Sequence, residues 1–446
     1  MYKTSKFNIL LIKENKFCVL NTLTGNLAVV KDKKTSDYLQ KREIEENEDE
    51  VLSRLLNDGF IIREDDDEDA MAGIKYIDIV ANKDLYLVLM PTLGCNFRCG
   101  YCYENDPNSE HNFANIFMNE NVQNQVIKFA KNKLKEQYGI FIEWYGGEPL
   151  LGLDIIENMS LNLIDICQKR GKPYYSTLTT NGYLLTEEVF RRCLKNHIYS
   201  FHITVDGFAE IHDKFRSLQN GEGTQAVILN NLRNIRDKVK SQYFKIILRT
   251  NISKELIPKL DDWIKFLHEE FGADKRFQFF FRPIENRGGT AVKSVENSIV
   301  DDMNKAYDIM IQSKYKLDFG YIKPFMYDSI CSAAKRNRFI IDPVGIVKKC
   351  GEYLNHPFSI VGKLNEDGKM DLDKNSLARW IKIDSMTQKG KCSDCKSRVS
   401  CFNLNCPMRQ NILENKCNEY CGVENTYIKK VMDLLTERDY NFIIKY

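Results

Sequence analysis

The chain has 446 residues, room for two or three domains of ordinary size, and its 43% hydrophobic content is that of a globular protein. A net charge of +2 gives no electrostatic footing for nucleic acid or an anionic membrane surface, so neither is expected as a partner. No apolar run reaches the ~18 residues of a membrane span, and the opening Met-Tyr-Lys-Thr-Ser-Lys lacks the apolar core of a signal peptide. The expected location is the cytoplasm, where the fourteen cysteines are not expected to pair as disulfides.

In chain order, residues 1–70 read as a small unit. Short apolar strands are predicted at 7–12, 17–21 and 27–30, with the Thr24-Gly25 turn before the third. A helix is predicted at 48–57, with Val51, Leu52, Leu55 and Leu56 on one face and Gly59 as its stop, followed by a strand at 60–63. The acidic run 63–69 reads as a solvated linker. From residue 85 the pattern changes to strands (85–90, 140–144, 174–180, 200–205, 244–250, 277–282) alternating with helices (122–138, 153–169, 186–196, 226–239, 256–271). Such alternation implies right-handed crossovers and a parallel sheet, here an α/β partial (β/α)6 barrel over residues 71–290. Active sites of such barrels lie at the C-terminal ends of the strands. Residues 291–330 form a bridging region with a helix at 300–313. Residues 331–446 are cysteine-rich and short of long helices until one at 426–438.

The cysteines carry the chemistry. Cys95, Cys99 and Cys102 lie in Pro91-Thr-Leu-Gly-Cys-Asn-Phe-Arg-Cys-Gly-Tyr-Cys-Tyr103, in the loop after the first barrel strand. Three thiolates this close do not complete a four-coordinate zinc site alone, but they suit three irons of a [4Fe–4S] cluster and leave the fourth open. Half of a zinc site completed from elsewhere is the alternative reading. Trp144-Tyr-Gly-Gly-Glu-Pro149 ends the second barrel strand, where paired glycines permit close backbone approach and Glu148 is an acceptor. Cys18, Cys167 and Cys193 stand apart and read as buried structural thiols, and the six histidines form no ligand pattern.

Taken together, these motifs resemble the radical S-adenosylmethionine (SAM) enzymes, whose signature is this triplet spacing with an aromatic residue, here Tyr101, before the third cysteine. The resemblance implies that Cys95, Cys99 and Cys102 hold a cluster whose open iron chelates SAM, from which one electron releases a 5′-deoxyadenosyl radical. It implies that Gly146, Gly147, Glu148 and Pro149 meet the SAM amino group, Thr204 the ribose, Arg216 the methionine carboxylate and Tyr101 the adenine. Asn181 (in Leu178-Thr-Thr-Asn-Gly-Tyr183) and Arg249 (in Arg249-Thr-Asn251) would line the same cavity. Polar capping of strand ends is the bland reading for Asn181, Thr204, Arg216 and Arg249.

After residue 330 the spacing Cys331-x13-Gly345-x4-Cys350, then Cys392-x2-Cys395-x5-Cys401-x4-Cys406, then Cys417 and Cys421, resembles the SPASM extension of radical SAM peptide-modifying enzymes. That extension carries two auxiliary [4Fe–4S] clusters, which makes three clusters in all. Four residues rather than the family's usual three separate Cys401 from Cys406. By the family pattern Cys331, Cys350 and Cys406 hold one auxiliary cluster. Cys392, Cys395, Cys401 and one of Cys417 or Cys421 hold the other, with the remaining cysteine either completing the first or spare.

The unit at 1–70 resembles the winged-helix leader-recognition domain of ribosomal peptide maturases, which adds a peptide as a strand at a sheet edge. Its expected contacts are the edge strand 27–30 and the helix 48–57. The implied function is a radical SAM/SPASM peptide maturase that forms a cysteine thioether, as in sactipeptides or ranthipeptides. Its implied partners are a cysteine-containing precursor peptide with a leader and a flavodoxin- or ferredoxin-type electron donor. Carbon–carbon crosslinking and epimerisation use similar scaffolds. An anaerobic sulfatase-maturating enzyme is a rival, against which stand the ~90 residues before the triplet and Gly351 after Cys350, with Glu352 close by. A non-catalytic iron–sulfur carrier or peptide-binding scaffold is the reading outside enzymes.

Overall fold

A computed structural model of the chain describes every residue except 14–15, 103, 105–114, 285–304, 307, 311, 314, 316–329, 355, 382–394, 401–405, 409–427, 430–431, 434 and 437–442. It divides into two compact units, one formed by residues 1–82, 319–336 and 381–446 and the other by residues 83–318 and 337–380.

In the first unit, β1 (Tyr2–Thr4) pairs with β5 (Ile61–Arg63), while β2 (Asn8–Lys13), β3 (Lys16–Asn21) and β4 (Leu27–Val30) form an antiparallel meander. Alternation along these strands sends Ile9, Cys18, Leu20 and Leu27 to one core and Val19, Ala28 and Val30 to another. The second core is closed by Leu39 of α1 (Lys33–Gln40) and by Leu52 and Leu55 of α2 (Glu50–Asn57). Strands β2 to β5 and α2 fall where the sequence places them, whereas β1 was not read from it. Helix α1 was not legible because it buries only Thr35 and Leu39 and so has almost no apolar period.

The acidic run is not the solvated linker that its composition suggests. Its second half begins α3 (Glu68–Ala81), with Asp67 as N-cap accepting from the Asp69 and Ala70 amides. Glu68 is buried and accepts from Ser5 Oγ at 2.5 Å and the Lys6 amide at 3.0 Å. Acidic residues in a first helical turn are favoured by the helix dipole, which is why this run nucleates structure.

The second unit runs β6 (Leu85–Leu89), α4 (Glu120–Lys133), β7 (Ile140–Trp144), α5 (Leu153–Lys169), β8 (Tyr174–Thr180), α6 (Glu187–Lys195), β9 (Ile198–Thr204), α7 (Ala209–Phe215), α8 (Gln225–Lys238), β10 (Lys245–Ile252), α9 (Leu260–Phe271) and β11 (Phe277–Pro283). Strands β6 to β11 pair in parallel and in chain order, the sheet expected for a partial (β/α)6 barrel. Leu87, Ile142, Trp144, Leu178, Phe201, Ile203 and Ile246 alternate onto the fully buried face. Tyr86, Glu143, Thr177, His202, Thr204 and Arg249 occupy the other face and are only half-buried.

The sheet continues beyond β6. Strand β12 (Arg338–Ile341) pairs with it in parallel, and β13 (Ile346–Lys348), β14 (Ile360–Leu364) and β15 (Met370–Leu372) follow antiparallel, before α10 (Lys374–Trp380). These four short strands were not read from the sequence. Of the helix expected at 300–313, residues 305–306, 308–310 and 312 are described and helical; in the one expected at 426–438, so are 428–429, 432–433 and 435–436.

The meander of the first unit is completed by β16 (Ile444–Lys445), which pairs in parallel with β4. The edge strand expected to be open to a peptide is therefore covered in this structure. Among the described residues no helix is long and apolar enough to cross a membrane.

Candidate active site at the strand ends

The triplet loop leaves β6 at the C-terminal edge of the sheet and is fastened on both sides. Toward the segment after α7, the Arg98 amide donates to Ser217 O at 3.0 Å and the Gly100 amide to Phe215 O at 2.9 Å. Gln219 Nε2 donates to Cys95 O at 2.6 Å, and Asn181 Nδ2 to Asn96 Oδ1 at 2.7 Å. Toward the end of β7, the Gly147 amide donates to Thr92 O at 3.3 Å and the Glu148 amide to Gly94 O at 2.8 Å. The loop is thus stitched through main-chain groups to the end of β7 and to the segment after α7, and through the Asn181 side chain to the end of β8.

The two glycines serve this stitching. Gly146 has φ +119, and a Cβ there would stand 2.6 Å from Thr92 O; at Gly147 it would stand 2.2 Å from Gly94 O. The close approach that the sequence suggested is thus to the cysteine loop itself. Glu148 is buried, and its carboxylate accepts from Thr180 Oγ1 at 2.7 Å, the Asn181 amide at 2.7 Å and the Leu150 amide at 3.0 Å. Burial pushes this carboxyl up from its ordinary value against those hydrogen bonds, and it ties the ends of β7 and β8 together. Pro149 opens the short 3₁₀ turn that follows.

Cys95 and Cys102 are half-buried and Cys99 is buried. Burial and the nearby Glu148 charge push the Cys95 thiol up to about 12; burial raises Cys99 and Cys102 as well. A charge on Cys99 opposes ionisation of both other thiols, which places the three within electrostatic reach of one another. Among the described residues no three His, Cys, Asp or Glu side chains converge on a single metal ion. Three neighbouring thiols on one loop fit a multi-iron cluster, which is broader than one ion and takes its ligands as thiolates, releasing their protons on binding.

Tyr101 is a hub. Its hydroxyl donates to Asp206 Oδ2 and accepts from Arg216 Nη1 at 2.8 Å and Asn251 Nδ2 at 3.1 Å. Asp206 also accepts from the Asn251 amide at 2.8 Å. Burial raises the Asp206 carboxyl, against the pull of the Arg216 guanidinium. Arg216 lies over the Phe97 ring, and its buried Nε has no hydrogen-bond partner. An unpartnered guanidinium N–H beside the cysteine loop fits the carboxylate of a cluster-bound amino acid. Thr204 and Arg249 are half-buried register partners at the ends of β9 and β10, and Arg249 Nε donates to Asn251 Oδ1 at 2.8 Å.

The structure therefore brings Cys95, Cys99, Cys102, Tyr101, Gly146, Gly147, Glu148, Asn181 and Arg216 together, with Thr204 and Arg249 on the adjoining strand ends. Asp206, Asn251, Asn96, Gln219 and Glu104 were missed. Asn251 carries a legible signal, since it closes the Arg249-Thr-Asn251 segment already singled out, and Asp206 follows two residues after Thr204, the last residue of β9. Glu104 carries none. It is a lone acidic residue whose carboxyl burial pushes up to about 7, with Lys348 of β13 pulling the other way.

Of the later cysteines, Cys350 is buried after β13, its amide donating to Ser359 Oγ at 3.0 Å; Cys331, Cys395 and Cys406 are half-buried in the first unit. Cys392, Cys401, Cys417 and Cys421 lie outside the described residues.

Residues 89–264 match the model of the Radical SAM superfamily. A cysteine-type anaerobic sulfatase-maturating enzyme of Clostridium novyi is 24% identical over 333 residues, which is 70% of this chain and 85% of the relative. A GTP 3′,8-cyclase of Clostridium perfringens is 25% identical over 286 residues, 59% of this chain and 80% of the relative. Among solved structures, a histidine-tagged anSMEcpe with bound AdoMet shares the fold at a TM-score of 0.61 and 19% identity, covering 81% of this chain and 100% of that chain.

Proposed function

We propose that this chain, a radical SAM enzyme whose residues 89–264 form the superfamily domain, matures a ribosomally made precursor peptide by closing a thioether between a cysteine sulfur and a peptide carbon. The observation that carries the reading is the antiparallel meander of the first compact unit, flanked by α1 and α2, of the kind that takes a peptide as an added strand. The native anSMEcpe has the same fold at a TM-score of 0.59 and 18% identity and is known with a bound Cp18Cys peptide, which supports a peptide substrate here.

Cys95, Cys99 and Cys102 would hold the SAM-binding cluster. Bound there, cluster and SAM supply a hydrogen-abstracting 5′-deoxyadenosyl radical on one-electron reduction. Arg216, through its free Nε, would hold the methionine carboxylate, and the Tyr101–Asp206–Asn251 hub would keep the guanidinium in place. Glu148 would keep the ends of β7 and β8 closed under the loop. The half-buried face with Glu143, His202 and Arg249 would receive the peptide segment to be modified. Forming one C–S bond removes one C–H and one S–H hydrogen. The peptide carbon would give up its hydrogen atom and the thiol its proton, and the cysteines after residue 330 would hold an iron–sulfur group able to accept the surplus electron. A flavodoxin- or ferredoxin-type protein in the cytoplasm would supply the reducing electron.

Sulfatase maturation is the second reading, favoured by the 85% coverage of the Clostridium novyi enzyme. Against it, 81% of this chain accounts for the whole of the anSMEcpe chain, which leaves about a fifth of this protein without a counterpart there. The test is anaerobic incubation of the reconstituted enzyme with SAM, reductant and a small cysteine-containing peptide encoded beside its gene. Loss of two hydrogens together with one alkylatable thiol, under disulfide-reducing conditions, is the expected mass change. SAM cleavage with unchanged peptide, and formylglycine formation on a sulfatase peptide instead, would replace this reading by the second.

A further inference from the structure

The strand β16 sits where an added strand would sit. The Tyr446 amide donates to Val29 O at 3.0 Å and the Lys31 amide to Tyr446 O at 3.0 Å, which uses outer main-chain groups of β4 and of the residue after it. Arg54 of α2 donates to Lys445 O at 3.3 Å and lies 4.6 Å over the Tyr446 ring, which meets Phe60 edge-on at 6.2 Å. The Tyr446 hydroxyl donates to Asp58, the C-cap of α2. Side chains alternate as on a strand. Ile443 joins the core with Leu27, while Ile444 and Tyr446 turn to the core shared with α2. The groove between β4 and α2 is thus shaped for an extended segment with an aliphatic residue and, two places on, an aromatic one.

We infer that this groove is a peptide-binding site that the chain fills with its own residues 443–446, and that an incoming extended peptide of the same chemistry must displace them. Two observations make the occupant displaceable. The pairing is only two residues long. It is parallel, the slightly weaker arrangement per residue, so a longer antiparallel peptide on the same edge would outbid it. Its polar grip comes through the ring face and hydroxyl of Tyr446, to which Ile443 and Ile444 add apolar packing. What keeps it bound is attachment, since a tethered segment has a local concentration of order mM. The self-occupied edge is also protected from pairing with other chains. That a precursor peptide is the natural competitor rests on the maturase reading; the groove and its occupant do not.

The test uses the cluster-reconstituted chain, full-length and shortened to residue 440, with a fluorescein-labelled synthetic peptide Asn-Phe-Ile-Ile-Lys-Tyr as probe, read by anisotropy. An occupant present ~90% of the time weakens a competitor about tenfold, so the shortened chain should bind the probe about tenfold more tightly than the full chain. Arg54→Ala in the shortened chain should weaken the probe a few-fold through loss of the ring contact. Should the shortened chain fail to fold, full-length Tyr446→Ala carries the test and should bind the probe about threefold more tightly than the parent. Equal affinities in parent and variant, or a folded shortened chain that binds no probe, would overturn the inference. Peptide turnover with no effect of shortening sinks the inference alone, and probe binding without turnover of any precursor sinks the maturase reading alone.

Discussion

The two groups of cysteines differ in how they are assembled. Cys95, Cys99 and Cys102 occupy eight consecutive positions on one loop, and main-chain bonds to 215–217 and 147–148 set that loop's shape. The later cysteines spread over 91 positions, from Cys331 to Cys421, and the described ones belong to two compact units, Cys350 to one and Cys331, Cys395 and Cys406 to the other. A short-range site is specified by spacing and a stiff loop, whereas a long-range one has to wait for the chain to close large loops. The triplet is therefore the part whose chemistry can be argued residue by residue.

The sharpest way to break this contrast is to remove one cysteine from each group. Cys95→Ala should abolish 5′-deoxyadenosine formation, while Cys395→Ala should retain part of it and lose product; chromatography of the nucleoside with peptide mass spectrometry reads both, and the reverse pattern would exchange the two roles. Gly147→Ala comes next. Its Cβ would stand 2.2 Å from Gly94 O, so the loop must shift, at a cost of about 1–3 kcal/mol. Iron bound per chain should fall while helix content is retained, and full iron loading would show that the stitching to β7 is dispensable.

Arg216→Lys keeps the charge but loses the planar fork and the Nε. SAM affinity should weaken about tenfold by equilibrium dialysis, with iron content unchanged, and an unaltered affinity would remove Arg216 from SAM binding. The smallest effect is expected of Asn251→Ala, which takes one donor from the Tyr101 hydroxyl and the acceptor from Arg249 Nε and leaves Asp206 and Arg216 in place. Stability should drop by about 1 kcal/mol in denaturant unfolding of the reconstituted protein; a loss comparable to that of Gly147→Ala would mean that Asn251 holds the loop directly.

Much of the barrel was legible because each strand and helix declares itself locally. Strands 140–144 and 174–180 and helix 153–169 fall where the apolar pattern puts them, since a parallel strand covered by helices reads as a continuous or alternating apolar run. The acidic run was misjudged because composition registers charge but not that Glu68 would find Ser5 and the Lys6 amide. Strands β12 to β15, no shorter than β4 to β7, were not read from the sequence; β12 becomes a strand by pairing with β6, more than 240 positions earlier, and β13 to β15 extend that edge one on another.

By itself the sequence determined the cysteine spacing, the Gly-Gly-Glu turn and the βα alternation. Each is a local pattern whose chemistry depends on neighbours within a few residues. Only the tertiary structure decided that the glycines serve contact with the cysteine loop, that Tyr101 joins Asp206, Arg216 and Asn251, and that β16 covers the edge of β4. Those pairings link residues about 50 to over 400 positions apart. Hydrogen bonds and strand edges find partners by position in space, which local periodicity does not encode.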